Sequence, residues 1–341
     1  MATALSWYYY KLYIWFESEH RKSSMKQTLK ESIRQQRLAL QDSLVEPLAS
    51  LASQCAKQWD NREAIDDILT AHFQEIPKCT FLYALNTRGI QISDNVSHTG
   101  LLLEHFGRDR SQRPYMNEAV PASGFLLSEA YISLRMSRPS LTALQLVRDE
   151  TSGKALGFIG ADFDLRNLPF TAELYDEPAE WQQIKGDVAI RGTLFQQKRV
   201  DSLLDRDMDQ AISILTELIT VRGMFQGVFH YSSSRATIWL MDDPFRYRLL
   251  SHAELSDPDI CLAYPVRPYP KDALIPPKSI RPILHNLKEL RFADDVIYLR
   301  SASINIFNGM ISLTFSCDGS HYMPYQEFLD KNLGFWLGST R

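Results

Sequence analysis

The feature that most constrains the fold is a change of hydrophobic period near residue 80. From Met25 onward the apolar residues Met25, Leu29, Ile33, Leu40, Leu44, Leu48, Leu51 and Cys55 recur at steps of three, four or seven, with polar and charged residues between them. That spacing draws one stripe along a helix of about thirty residues. Pro47 falls inside it and is expected to kink it, because proline lacks the amide donor and its ring collides with the preceding turn. Such a stripe packs either on its own domain or against a second copy of the chain, and periodicity does not choose between them. A second helix is expected over residues 62–75, with Ile65, Ile68, Leu69 and Phe73 on one face and Asp60 or Asn61 as its cap.

Past residue 80 the pattern alternates. Strands are expected over residues 80–85 and 90–93, joined by the turn Asn86-Thr87-Arg88-Gly89. A short helix over 113–120 precedes a strand over 125–134. A hairpin follows, pairing 141–148 with 154–164 around a turn that ends in Gly153. Pro169, Pro178 and a run of acidic residues mark a boundary. Beyond it the sequence predicts a helix over 201–221, alternating strands over 227–231, 235–241 and 247–252, and a proline-rich crossing over 257–278. A helix over 280–290, strands over 296–303, 304–307 and 310–317 with an Asn308-Gly309 turn, and a terminal helix over 325–333 complete the pattern. The fold class is therefore α+β. The division is an aromatic N-terminal segment (residues 1–24), a first domain with its long helix (25–168), a linker (169–186) and a second α+β domain (187–341), open to being a second copy of the first fold.

Composition narrows the function. Of 341 residues, 45% are hydrophobic and 23% charged, which is the balance of a globular protein. Thirty-seven basic against 41 acidic side chains leave a net charge of -4, without the basic excess of a nucleic-acid binder. Cys55, Cys79, Cys261 and Cys317 form no CxxC pair, so neither a disulfide framework nor a thiolate metal site is indicated. The histidines show no HxH or HExxH spacing, and Walker A and GxGxxG turns are absent. Ser232 to Ser234 lack a nucleophile elbow, and Asp242-Asp243 and Asp294-Asp295 read as solvated turns. No enzymatic activity and no cofactor are expected. No apolar run is long enough to span a bilayer, which makes the cytoplasm the default location. The segment LSWYYYKLYIWF at residues 5–16 lacks the marks of a signal peptide. Its Trp and Tyr residues suit a membrane interface, and a first element buried on the body is the alternative.

Four short motifs in order carry a resemblance. They are FLYALNTRGIQISDN at residues 81–95, GRDRSQRPYMNEA at 107–119, SEAYIS at 128–133 and GFIGADFDLRNL at 157–168. Together with the long helix before them, they make residues 25–168 similar to the Cache family of PAS-like sensor domains, the ligand-binding modules of bacterial chemoreceptors and sensor kinases. The resemblance implies a pocket for a small amino acid, amine or carboxylate and places Arg113, Tyr115, Tyr131, Ser133 and Asp162 in its wall. A guanidinium grips a carboxylate through paired hydrogen bonds, an aspartate pairs with an ammonium, and tyrosines wall the pocket while offering hydroxyls. It also implies a signalling partner protein, with a homodimer through the long helix as one option. Modules of this family usually lie outside the membrane.

Competing readings stand beside this one. Arg113 and Asp162 can form a purely structural salt bridge. Asp162 and Asp164 share a strand face, the spacing of an Asp-x-Asp metal site, but lack a third ligand nearby. The run Arg108-Asp109-Arg110 reads as a solvated loop, and Tyr83 as a core aromatic. For the whole chain the alternatives are a ligand-free scaffold that binds other proteins and an enzyme with an unrecognised site in the second half.

Overall fold

The computed structural model describes residues 28–118, 120–121, 123–134, 137–175, 198–317, 320–331 and 335–336. The aromatic stretch at 5–16 and most of the expected linker lie outside them. The first helix, α1 (Leu29–Ala56), starts where the Thr28 hydroxyl accepts from the Glu31 amide at 3.3 Å, and Glu31 in turn binds Arg34. It runs through Pro47 as one helix of 28 residues, close to the length the stripe predicts and without a break at the proline. The stripe explains why: Leu40, Leu44, Leu48, Leu51 and Cys55 are all buried on both sides of the proline, and each buried leucine contributes about 1.5–3 kcal/mol. That packing outweighs one lost backbone bond. The stripe packs into the chain's own core.

Helix α2 (Arg62–His72) is capped by Asn61. The first sheet contains β1 (Phe81–Asn86), β2 (Asn95–Ser97), β3 (Gly100–Leu102), β4 (Phe125–Leu127), β5 (Tyr131–Ile132), β6 (Pro139–Arg148) and β7 (Ala155–Asp164), all antiparallel. Their order is β3-β2-β1-β7-β6-β4, with β5 also on β6. Of the strand expected over 90–93, only Ile90 and Gln91 pair, as isolated bridges to Asp109 and Leu85. The expected strand over 125–134 divides into β4 and β5 because Ser128 turns its hydroxyl to the Thr142 amide at 3.0 Å. The short helix after Arg113 is a single 3-10 turn, Pro114–Met116. Period-two alternation sends Leu82 and Ala84, Leu141 and Ala143, and Ile159, Ala161 and Phe163 into the core shared with α1. The other face carries Tyr83, Leu85 and Leu144 in a separate cluster with Tyr115.

The second half begins with α3 (Leu203–Arg206) and α4 (Met208–Val221). The expected single helix breaks at Asp207, whose carboxylate binds His252 Nε2 at 2.8 Å. Strands β8 (Met224–His230), β9 (Arg235–Leu240) and β10 (Asp243–Leu250) are followed by α5 (His252–Leu255). A capping box between Ser251 and Glu254 ends the strand there. A 3-10 segment, Pro258–Ala263, leads to α6 (Pro277–Phe292), β11 (Leu299–Asn305), β12 (Met310–Phe315), β13 (Ser320–Pro324) and α7 (Tyr325–Asp330). This sheet has the order β10-β9-β8-β11-β12-β13. The fold class is α+β in both halves, but the two sheets are connected differently. In the first, the opening strand β1 pairs with the closing strand β7; in the second, β8 pairs with β11, the first strand after the crossing.

The halves share a continuous buried core. Arg37 of α1 donates to both Asp259 oxygens, at 2.9 and 3.0 Å, and to the Leu127 and Ser128 carbonyls. Arg166, just after β7, binds Glu217 of α4 at 3.2 Å, and Arg222 donates to the Leu165 carbonyl. Among the described residues no helix is long and apolar enough to cross a membrane.

Candidate functional site

Strand register assembles the site. Asp162 of β7 lies between Phe81 of β1 and Thr142 of β6, and two residues earlier Gly160 lies between Tyr83 and Leu144. A Cβ on Gly160 would come within 2.4 Å of the Tyr83 ring, so glycine here lets that ring lie flat on the sheet. The covering loop is anchored at both ends. The Asn86–Gly89 turn, with Gly89 at φ +79°, receives the Arg110 amide on the Gly89 carbonyl at 2.9 Å. Asp94 accepts from the Phe106 amide at 3.2 Å while pairing with Arg62 of α2. Arg113 then leads into the 3-10 turn and seats Tyr115, which is buried.

Asp162 is the centre of a hydrogen-bond network. Its Oδ1 accepts from Tyr83 Oη at 2.8 Å and from Thr142 Oγ1 at 2.7 Å. Because the one Thr142 proton goes to the carboxylate, the 2.7 Å contact between Tyr131 and Thr142 has Tyr131 as donor. Oδ2 accepts from Arg110 at 3.3 Å. Arg110 is held in turn by Gln91 Oε1 at 2.9 Å and Asn95 Oδ1 at 3.1 Å, and its guanidinium lies 3.7 Å over the Tyr83 ring. The Tyr83 and Tyr115 hydroxyls are 3.2 Å apart, and the Tyr115 and Tyr131 rings meet at 5.9 Å.

Burial, and then the Asp162 charge, push the Tyr83, Tyr115 and Tyr131 hydroxyls above their ordinary range, so all three stay protonated at neutral pH. Burial pulls Arg110 down, but Tyr83 and Asp162 outweigh it and the guanidinium stays charged. The cluster thus holds protonated hydroxyl donors and a charged guanidinium around one carboxylate. It is suited to holding a polar molecule in one orientation.

Above the network lies a cavity of about 330 Å³. Arg113, Tyr115, Tyr131, Ser133 and Asp162 all line it, together with Asn95, Arg108, Arg110 and Asp164. The size is at the lower end of small-molecule sites. The structural salt bridge to Asp162 is made by Arg110, not Arg113. Arg110 is therefore a correction to the sequence reading: it is buried, with 6% of its surface exposed, where a solvated loop was expected. Tyr83 is buried as expected of a core aromatic, but its hydroxyl belongs to the Asp162 network. The signal available for Arg110 was its place three residues before Arg113, and its buried partners Gln91 and Asn95 are distant in sequence. Among the described residues no group of three or more His, Cys, Asp or Glu side chains is placed to hold a metal ion, and Asp164 is turned to the Arg166 amide.

No protein-family model matches the chain, and no curated protein matches it. Solved structures similar to it include the ligand-binding domain of the amino acid chemoreceptor PctB of Pseudomonas aeruginosa PAO1 in complex with L-Gln, at 22% identity, covering 43% of this chain and 61% of that one with a TM-score of 0.32. The ligand-binding domain of the Pseudomonas fluorescens chemoreceptor CtaA in complex with L-isoleucine is similar at 16% identity, covering 46% and 60% with a TM-score of 0.32. An extracellular ligand binding receptor from Desulfohalobium retbaense DSM5692 is similar at 15% identity, covering 40% of this chain and 24% of that chain, with a TM-score of 0.34. The chain therefore spans less than two thirds of each of these structures.

Proposed function

We propose that this chain is a non-enzymatic sensor module that binds a small polar metabolite, an amino acid, amine or carboxylate, in the cavity on the outer face of the first sheet. The observation that carries the reading is the cavity itself. It sits over a fully organised donor network, and its wall includes a guanidinium, Arg113, that makes no ion pair or side-chain hydrogen bond among the described residues. Arg113, Tyr115, Tyr131, Ser133 and Asp162 are the proposed contacts. A module of this kind needs only different ligand affinities in two states and no chemistry on the ligand.

A route to a partner protein is supported by the path of β7. Asp162 and Asp164 line the cavity, and the next residues, Leu165 and Arg166, are gripped by Arg222 and Glu217 of the second half. A ligand that shifts the end of β7 loads α4 directly.

The test is a thermal-shift screen of amino acids, amines and short carboxylates against the whole chain and its Arg113→Ala variant. Ligand at a hundred times its dissociation constant adds about 2.7 kcal/mol to stability. A hit that the variant binds about 10- to 100-fold more weakly supports the site, since a charged hydrogen-bonded contact is worth roughly 1.5–3 kcal/mol. A hit that the variant binds unchanged removes Arg113 from the site. Silence across the panel favours the protein-binding scaffold instead.

A further inference from the structure

Resting on that reading of the cavity, we infer that its two aspartates divide the work: Asp162 holds the occupant, and Asp164 is the positioning residue that passes occupancy on to the second half and to α1. Both carboxylates line the cavity, two residues apart on one face of β7, but they are held differently. Asp162 is fixed by Tyr83, Thr142 and Arg110, all in the first half. Asp164 is half-buried, and among the described residues its side chain accepts one hydrogen bond, from the Arg166 amide to Oδ1 at 2.9 Å. A carboxylate offers about four acceptor positions. Asp164 therefore has capacity for a donor in the cavity, and a donor that draws it inward takes it from the amide.

The bond to the Arg166 amide fixes a 3-10 turn, Leu165–Asn167, and that turn is tied to two other elements. The Leu165 carbonyl accepts from Arg222, and the Arg166 guanidinium donates to Glu217 of α4 at 3.2 Å. Three residues past the turn, the Phe170 amide donates to Gln36 of α1 at 2.7 Å. Glu217, Arg222 and Gln36 are all buried, so a displaced turn takes from them a partner that bulk water does not replace. The receiving pair also has a second arrangement close by. Glu217 Oε1 stands 4.0 Å from Arg222 Nε, and neither atom makes a hydrogen bond among the described residues. An approach of about 1 Å closes that gap into a charged hydrogen bond. The Asp164 charge already reaches this pair: burial raises the Glu217 pKa, Arg166 and Arg222 pull it down, and Asp164 adds to the rise.

Amide hydrogen exchange of the whole chain, followed by mass spectrometry, tests this in two stages. In the free protein, Asp164→Ala is expected to speed exchange at least about threefold in residues 165–170, in residues 215–222 and around Gln36. Asp164→Asn, whose carboxamide oxygen accepts the same bond, should restore the wild-type rate, and Asp162→Asn should leave residues 215–222 unchanged. Unaltered exchange in Asp164→Ala, a response of the same size in Asp162→Asn, or no recovery in Asp164→Asn overturns the inference. The second stage adds L-alanine, succinate and putrescine as probes, with binding read by calorimetry. A probe that binds should change exchange in the same segments of the wild type, and should bind Asp164→Ala without changing them. A response that survives in Asp164→Ala, or a bound probe that leaves the wild-type segments unmoved, overturns the inference and leaves the cavity reading standing. Silence of all three probes counts against the cavity reading, and the free-protein comparison then decides the role of Asp164 by itself.

Discussion

Each half of the molecule encloses an arginine-carboxylate pair, and the two pairs differ in one respect. In the second half Arg291 donates to both oxygens of Asp205, at 3.0 and 2.8 Å, and to the Leu299 carbonyl, with the Tyr298 and Tyr231 rings packed around it. Both side chains are shut in, at 0% and 1% exposed. In the first half the Arg110–Asp162 pair is equally rich in partners, but Asp162 keeps 19% of its side-chain surface, and that surface faces the cavity. Buried charge alone therefore does not mark a site. A saturated, sealed pair holds elements in place, whereas a saturated pair with one open edge can also orient a visitor.

The largest expected effect breaks the sealed pair. Arg291→Ala leaves Asp205 buried without its counter-ion and is expected to cost about 3–5 kcal/mol of stability, read as a lower urea midpoint. The double replacement Asp205→Leu with Arg291→Met removes both charges and should recover most of that loss. Ligand response in the double variant should match the wild type; loss of response in a folded double variant would show that the second half shapes the cavity and that the two pairs are not separable.

A second test uses the pair at the junction. Burial raises the Asp259 pKa from 3.8 to about 6 against the pull of Arg37. A carboxyl whose folded pKa is raised is held more tightly in its protonated form by the native state. Its contribution is then fullest below pH 3.8 and is lost as pH rises through about 6. Asn has no such titration. The stability of the wild type relative to Asp259→Asn should therefore be greatest near pH 4 and fall toward pH 7, by up to about 3 kcal/mol for a shift of roughly two units. An unchanging gap between the two proteins over that range would mean that Arg37 fully offsets the burial, placing this pair with the sealed one.

Much of this was legible from periodicity, and the exceptions have physical causes. The stripe from Leu40 to Cys55 and the alternation in β1, β6 and β7 follow from side-chain direction alone, which is local. The motif order placed five residues, Arg113, Tyr115, Tyr131, Ser133 and Asp162, that line one cavity. Arg110 was missed because its charged neighbours Arg108 and Asp109 are those of a solvated loop, while its burial depends on Gln91 and Asn95 across a long turn. Strand order in the second sheet was equally hidden. Antiparallel strands read alike whichever neighbour they take, and the choice of β11 beside β8 is made by the crossing through Pro258–Ala263 and α6.

The smallest effects come from a glycine in each sheet, and their contrast isolates what the open face requires. In β7 a methyl at Gly160 would sit 2.4 Å from the Tyr83 ring, which is pinned by its bond to Asp162 and by Arg110 stacked above it. In β8 a methyl at Gly227 would sit 2.3 Å from the Met224 methyl, the far end of a flexible side chain, with the Phe229 ring next at 3.2 Å. Overpacking a fixed group costs about 1–3 kcal/mol, whereas a group that can move relieves much of the strain. Gly160→Ala is thus expected to destabilise more than Gly227→Ala in thermal unfolding, and it alone should weaken ligand binding, because moving Tyr83 withdraws a donor from Asp162 and tilts the cavity floor. Equal ligand affinity in the two variants would mean that the floor tolerates displacement of Tyr83, and that recognition is carried by Arg113 and the loop above it.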